Sequence, residues 1–198
     1  MVVAIPASSF PQFTFEQYLD LEADSLVRHE FSHGLVVAMA GGSPEHNAIC
    51  ANLTALLARA LEGKPCRVHS SDQRVRVQAT GKATYPDLSV FCGTVELDPE
   101  DPRRHTATNP TVLVEVLSPS TADYDRGEKR ESYLLIPSLR ALLLFDHAAR
   151  RVEVWSRADA NSPWAQTTHD SVAAIPALDI ELALETVYRD GLTGELLV

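Results

Sequence analysis

Glu115 lies inside Val112-Leu113-Val114-Glu115-Val116-Leu117, a run whose apolar residues fill both alternating sets between Pro110 and Pro119. Such a run predicts a strand buried on both faces, where an ionised carboxylate is costly unless a cation or hydrogen-bond donors meet it. Asp87 raises the same question. It follows Pro86 and opens Leu88-Ser89-Val90-Phe91, so a short strand begins at or just before it. Carboxylates on two neighbouring strands make an oxygen-rich site suited to a hard divalent cation, Mg²⁺ first and Mn²⁺ as its substitute. Phosphodiester hydrolysis is the chemistry such a site serves: the metal acts as Lewis acid, a water is activated, and a lysine commonly steadies the developing charge. Lys129 is the candidate lysine, on a helix that follows the Glu115 strand, from which a long side chain reaches back to the strand's carboxyl end.

On a helix running from Asp123 to about Ile136, Lys129 and Tyr133 are four apart and share a face, as do Asp125 and Lys129. An intrahelical salt bridge to Asp125 is the plainer account of Lys129. Arg126 and Tyr133 are the substrate-contacting candidates on this helix. Glu30 falls on an earlier strand and is either a third acidic group or a surface glutamate on an edge strand. His46 falls in the first turn of a long helix, pointing away from its apolar stripe. There it is placed to contact phosphate or tune a metal-bound water, although a lone histidine more often caps or sits at the surface. The other histidines lack ligand-like spacing, and no zinc site is expected.

Three stretches taken together resemble a known family: Tyr85-Pro86-Asp87-Leu88-Ser89-Val90, then Val114-Glu115-Val116-Leu117-Ser118-Pro119-Ser120-Thr121, then Tyr124-Asp125-Arg126-Gly127-Glu128-Lys129. They are similar to the Uma-type restriction endonuclease-like family of the PD-(D/E)XK nuclease superfamily. The likeness runs from about Phe13 to about Tyr188 and includes Ser43-Pro44-Glu45-His46. It implies a restriction-endonuclease-like α/β fold, a mixed β-sheet flanked by helices, with a metal held by Asp87 and Glu115. It also implies an acid near the metal at Glu30 and a cytoplasmic, prokaryotic setting. One departure stands out: Leu117 occupies the place of the motif's lysine. Many members of the family share this feature, and the resemblance implies that the lysine has moved to the following helix, here Lys129.

The elements that must position these groups can be read along the chain. Its 198 residues, 45% hydrophobic, predict one domain over 13–190, between a flexible arm at 1–12 and a tail at 191–198. Thr14-Phe15-Glu16-Gln17 fits a capping box opening a short helix through about Leu21. Val27–Phe31 and Leu35–Ala40 read as a hairpin around Ser32-His33-Gly34. Ser43-Pro44-Glu45 starts a helix to about Glu62 with Ile49, Leu53, Leu56, Leu57, Ala60 and Leu61 on one stripe. Cys66–His69 and Arg74–Gln78 read as strands, the second with Arg74, Arg76 and Gln78 on a wet face. The charged, proline-rich stretch 97–110 reads as a loop joining the two carboxylate strands and able to flank a substrate groove. Arg140–Asp146 and Arg151–Ser156 form a C-terminal hairpin, Trp164–Thr168 adds a strand, and Ala183–Tyr188 closes the chain with a short helix. This last third supports the fold or a homodimer contact.

Lys and Arg number 17 against 27 Asp and Glu, a net charge of −10, which excludes broad, nonspecific affinity for nucleic acid. Any such contact must be local, and Lys64, Arg67, Arg74, Arg76, Arg103, Arg104, Arg126, Lys129 and Arg130 are the cations around the two carboxylates. Cys50, Cys66 and Cys92 are odd in number and unpaired in spacing, so reduced, buried thiols are expected. The N-terminus lacks the features of a signal peptide and no apolar run approaches a membrane span, so a soluble, cytoplasmic protein is expected. A serine or cysteine hydrolase finds no support, because the sequence has no Gly-x-Ser-x-Gly or comparable nucleophile turn. The expectation is therefore a Mg²⁺-dependent endonuclease acting on nucleic acid, DNA foremost, in which Asp87, Glu115 and the Val116 carbonyl hold the ion. Glu30, His46 and Lys129 are the further catalytic candidates. The competing expectation is a catalytically inactive nuclease-fold binding module tied to mobile-element or regulatory proteins.

Overall fold

The structure, a computed structural model, describes residues 12–118, 122–190 and 193–197. All of the expected arm except Gln12 lies outside the described residues, as do 191, 192 and 198 of the tail and 119–121 of the Glu115 motif.

Helix α1 (Phe15–Asp24) opens on the expected capping box, with the Thr14 hydroxyl accepting from the Gln17 N–H and the Gln17 side chain accepting from the Thr14 N–H. Strands β1 (His29–Ser32) and β2 (Leu35–Ala38) pair as a hairpin. Its two turn residues, His33 and Gly34, both have positive φ, as the right-handed twist of a two-residue hairpin requires. Helix α2 (Pro44–Ala60) starts where Ser43 accepts the His46 N–H. Strands β3 (Cys66–Ser70), β4 (Arg74–Val77), β5 (Lys82–Thr84), β6 (Leu88–Cys92), β7 (Thr106–Ala107) and β8 (Val112–Leu117) follow. The Asp123-to-Ile136 helix is shorter and broken: α3 (Ala122–Tyr124), a wide turn at Asp125–Lys129, then α4 (Arg130–Tyr133). The break lies at Gly127, whose φ of −98° and ψ of −111° leave helical space, a departure that costs glycine little because it has no Cβ. Strands β9 (Ala141–Asp146), β10 (Arg151–Ser156), β11 (Ala165–His169), β12 (Val172–Ile175) and β13 (Ile180–Ala183) and helix α5 (Leu184–Val187) complete the described elements.

The central sheet runs β11-β10-β9-β8-β6-β3, mixed because β8 and β9 are parallel while their other neighbours are antiparallel. β8 is buried along its whole length. Val112, Val114 and Val116 face one way and pack with Ile49, Leu53 and Leu57 of α2 and with the β12–β13 ribbon. Leu113 and Leu117 face the other way, toward Tyr133, Ile136, Val75 and Val77. This is why the strand reads as continuously apolar. A second sheet, β2-β1-β5-β4-β7, carries α1 through Phe15, Tyr18, Leu19, Phe31 and Ala83. The expected architecture of a mixed sheet flanked by helices, with hairpins toward each end, is the one observed.

Three expectations are corrected. The face bearing Arg74 and Arg76 is covered rather than wet, although Gln78 beyond the strand stays exposed: Arg74 is buried against Asp101 at 3.1 Å, and Arg76, partly buried, meets Asp98 at 3.3 Å and Glu100 at 2.8 Å. The charged stretch after β6 therefore folds back onto β4 as scaffold. Removing one member of the buried Arg74–Asp101 pair would cost about 3–5 kcal/mol by stranding the other. Cys66 and Cys92 are joined in a disulfide, since the β3–β6 register sets them directly opposite, a placement their spacing does not disclose. Glu30 lies on β1, which is hydrogen-bonded on both edges, so it is not on an edge strand.

Candidate active site

The β6–β8 register pairs Leu88 with Val114, and one further step sets Asp87 opposite Glu115 at the strand ends. The Asp87 carboxylate accepts the Val116 N–H at 2.7 Å, which turns that edge of β8 toward Asp87. A residue's own N–H and C=O leave a strand on the same edge, so the Val116 carbonyl shares that side. Register and backbone direction thus bring the Asp87 and Glu115 carboxylates and the Val116 carbonyl to the same region of the two strands.

Glu115 points to the helical side of β8 and is 4% exposed. Its Oε1 receives the Tyr133 hydroxyl at 2.8 Å and the Lys129 ammonium at 2.9 Å. Tyr133 is in turn hydrogen-bonded to the Thr84 hydroxyl at 2.8 Å. Lys129 is just as buried and also meets Glu30 at 3.0 Å and Asp125 at 3.5 Å. The Asp125 contact expected from helical spacing is real, but it is the longest of the three. Asp125 and Lys129, the first and last residues of the wide turn, are both buried and meet across it. Tyr124 donates to Glu30 Oε2 at 3.2 Å, and Lys82, nearly inaccessible, anchors Glu128 at 2.7 Å, tying this segment to the second sheet.

Burial raises the Glu115 carboxyl, Lys129 opposes the rise, and the negative charges of Asp87 and Asp125 add to it, so that it is pushed up to about 8. Burial works against the charge on Lys129, but the surrounding carboxylates, led by Glu115, hold it well above the ordinary lysine range. Three carboxylates, Glu30, Glu115 and Asp125, thus share one buried ammonium, with Asp87 close enough to Glu115 to raise its pKa. The donor set is oxygen-only and has negative charge to spare, which fits a hard divalent cation.

His46, expected to point away from the apolar stripe of α2, turns toward Asp87 just before β6. Its Nε2 is 3.3 Å from Asp87 Oδ2, and its Nδ1 is 3.7 Å from the Cys50 thiol. The hydrogen bond to Asp87 raises the imidazole pKa against the opposing effect of burial. Burial, and then the nearby Asp87 and Glu115, raise the Cys50 thiol. Cys50 stands four residues after His46 on α2, a spacing legible in the sequence that puts the two side chains on one face. Tyr124 and Lys82 carried no such signal, since their contacts cross from one sheet to the helical segment.

Several of the other cations are engaged with groups away from the site, while Arg67 and Arg104 are exposed. Arg126 bridges Glu153 at 2.8 Å and Asp146 at 3.3 Å, Arg103 meets Asp20, Lys64 donates to the Leu178 and Asp179 carbonyls, and Arg130 stacks over Trp155. Tyr133 is fully buried and reaches the site through Glu115. Among the described residues, no helix is long and apolar enough to cross a membrane.

Comparison with known proteins shows the family and the fold. The model of the Uma2 family, described as "Putative restriction endonuclease", matches residues 15–186. An uncharacterized protein of Synechocystis sp. is 32% identical over 193 residues, covering 96% of this chain and 98% of that protein. A second from the same organism is 31% identical over 144 residues, covering 73% of this chain and 80% of that protein. Among solved structures, one titled as a "putative nuclease belonging to DUF820 from Anabaena variabilis" superposes with a TM-score of 0.71. It covers 88% of this chain and 97% of its own, and at 16% identity the likeness is one of fold.

Proposed function

The chain belongs to the Uma2 family, and on that premise we propose that it is a Mg²⁺-dependent endonuclease hydrolysing phosphodiester bonds of nucleic acid, DNA foremost. The observation that carries the reading is the gathering of Asp87, Glu115 and Lys129, from three separate segments, at the ends of β6 and β8.

Asp87, Glu115 and the Val116 carbonyl would hold the ion. When bound, it supplies Lewis acidity toward a phosphoryl oxygen and a water of lowered pKa. Lys129 donates to the charge that develops on the phosphate, a role that needs it protonated, and Glu30 and Asp125 keep it so. Tyr133 fixes one oxygen of Glu115, leaving the other for metal. His46 steadies Asp87 and stands where it meets phosphate or a water. Arg126 and Tyr133, both engaged inside the protein, take no direct part in substrate contact. Mn²⁺ would substitute for Mg²⁺, and a homodimer would present two such sites to a duplex.

A second reading, a nuclease-fold binding module without catalysis, is favoured by Leu117 and by the net charge of −10. The deciding experiment pairs two measurements on pure protein. One is Mg²⁺- or Mn²⁺-dependent cleavage of single- and double-stranded DNA and of RNA. The other is Mn²⁺ calorimetry on wild type and Asp87→Ala. Metal-dependent cleavage of DNA that Asp87→Ala abolishes supports the enzyme. Metal binding with no cleavage of any substrate leaves the module.

A further inference from the structure

His46 and Cys50 are four residues apart on α2 and so present their side chains from one face of the helix. Asp87 approaches that face from the sheet. One donor atom from each of His46, Cys50 and Asp87 can be chosen so that all three lie within 4.8 Å of one another. Imidazole, thiolate and carboxylate are the ligand types of zinc-class ions, and a thiolate is foreign to Mg²⁺. The set differs from the oxygen-only group around Glu115 in chemistry and lies on the α2 side of the sheet, but the two sets share Asp87.

We propose that His46, Cys50 and Asp87 form a three-ligand site for a thiophilic divalent cation such as Zn²⁺, and that its occupation draws Asp87 away from the Mg²⁺ site and silences the nuclease. The ligand set stands by itself, whereas the silencing rests on the nuclease reading. Bonds of about 2.0–2.3 Å to a common ion draw the three donors closer than they now stand, a movement within reach of small side-chain rotations. The Cys50 thiol gives its proton to solvent as the sulfur–metal bond forms, and a water completes a four-coordinate shell, the pattern of zinc sites with an open position.

Co²⁺ is the probe, because a thiolate ligand produces a sulfur-to-cobalt charge-transfer band in the near ultraviolet. Wild type titrated with Co²⁺ should develop this band and lose it on addition of Zn²⁺. Cys50→Ser and Cys50→Ala, each verified as folded by circular dichroism, should lack the band and bind Co²⁺ at least about tenfold more weakly. Their Mg²⁺ affinity should stay unchanged. The alanine variant guards against a misfolding effect of a buried hydroxyl. A wild type without the band at saturating Co²⁺, or a band that persists in both variants, overturns the site. In the Mg²⁺-dependent cleavage assay, the variants should need about tenfold more Zn²⁺ for half-inhibition, and equal inhibition of wild type and variants overturns the silencing. If wild type cleaves nothing, the nuclease reading and the silencing fall together, while the cobalt spectrum still decides the site.

Discussion

The Lys129 ammonium lies 2.9 Å from the Glu115 carboxylate, while Leu117, two residues beyond Glu115, is buried on that same face of β8 among Leu113, Tyr133 and Leu142. Residues two apart on a strand share a face, so a lysine at either position addresses the same carboxylate. In this chain the helical segment delivers the charge, and the strand position is used for packing.

If Lys129 stabilises charge on the phosphate, Lys129→Ala will keep Mn²⁺ affinity and lower the cleavage rate by about two to three orders of magnitude, the usual loss for one electrostatic donor. Calorimetry and single-turnover kinetics together check this. A parallel loss of metal affinity would instead make Lys129 a prop for Glu115. The double change Leu117→Lys with Lys129→Ala tests the shared-face argument by partial recovery of rate.

Glu115 gives the metal-free protein a pH dependence with a definite sign. Its carboxyl is raised from 4.5 to about 8, so the folded state holds a proton that the unfolded chain has already released. The associated stability is complete below about 4.5 and is lost as pH rises through about 8. Thermal melts in chelator from pH 5 to 9 should fall for wild type, and Glu115→Gln should flatten that fall while abolishing Mn²⁺ binding. An unchanged slope in Glu115→Gln would move the titration to another group.

Arg126 is held by Asp146 and Glu153. Arg126→Ala should therefore leave the salt dependence of nucleic-acid binding unaltered and lower stability by no more than about 1 kcal/mol, the range for partly exposed pairs. Anisotropy titrations across salt concentrations, with denaturant melts, test both halves. A flattened salt slope would show that Arg126 lets go of its acids to reach phosphate.

The Cys66–Cys92 disulfide closes a loop of 26 residues, for which chain entropy predicts about 3.5 kcal/mol of stabilisation. Reduction with a mild thiol should lower the melting temperature without changing Mn²⁺ affinity, because β3 lies at the sheet edge away from the Glu115 carboxylate. Equal melting temperatures with and without reductant would mean that β3 is held by its ladder and core contacts alone.

Local chemistry made much of this legible in the sequence. The Thr14 and Ser43 caps, the His33-Gly34 turn, the α2 stripe and the bounds of β8 depend on neighbouring residues, and all could be written down from spacing. Asp87 and Glu115 stood out because acids are costly within apolar runs. What the tertiary structure alone decided involves partners distant in sequence. The β6–β8 register sets Asp87 opposite Glu115, the β3–β6 register pairs two cysteines expected to be free, and the Asp98 and Asp101 carboxylates turn an apparently wet arginine face into a covered one. Likewise His46 turns toward Asp87, Arg126 is claimed by β9 and β10, and Lys129, the last residue of the wide turn, meets Glu115 and Glu30. A charge in a sequence advertises a need for a partner, but only the packing of sheet on helix determines which partner meets it.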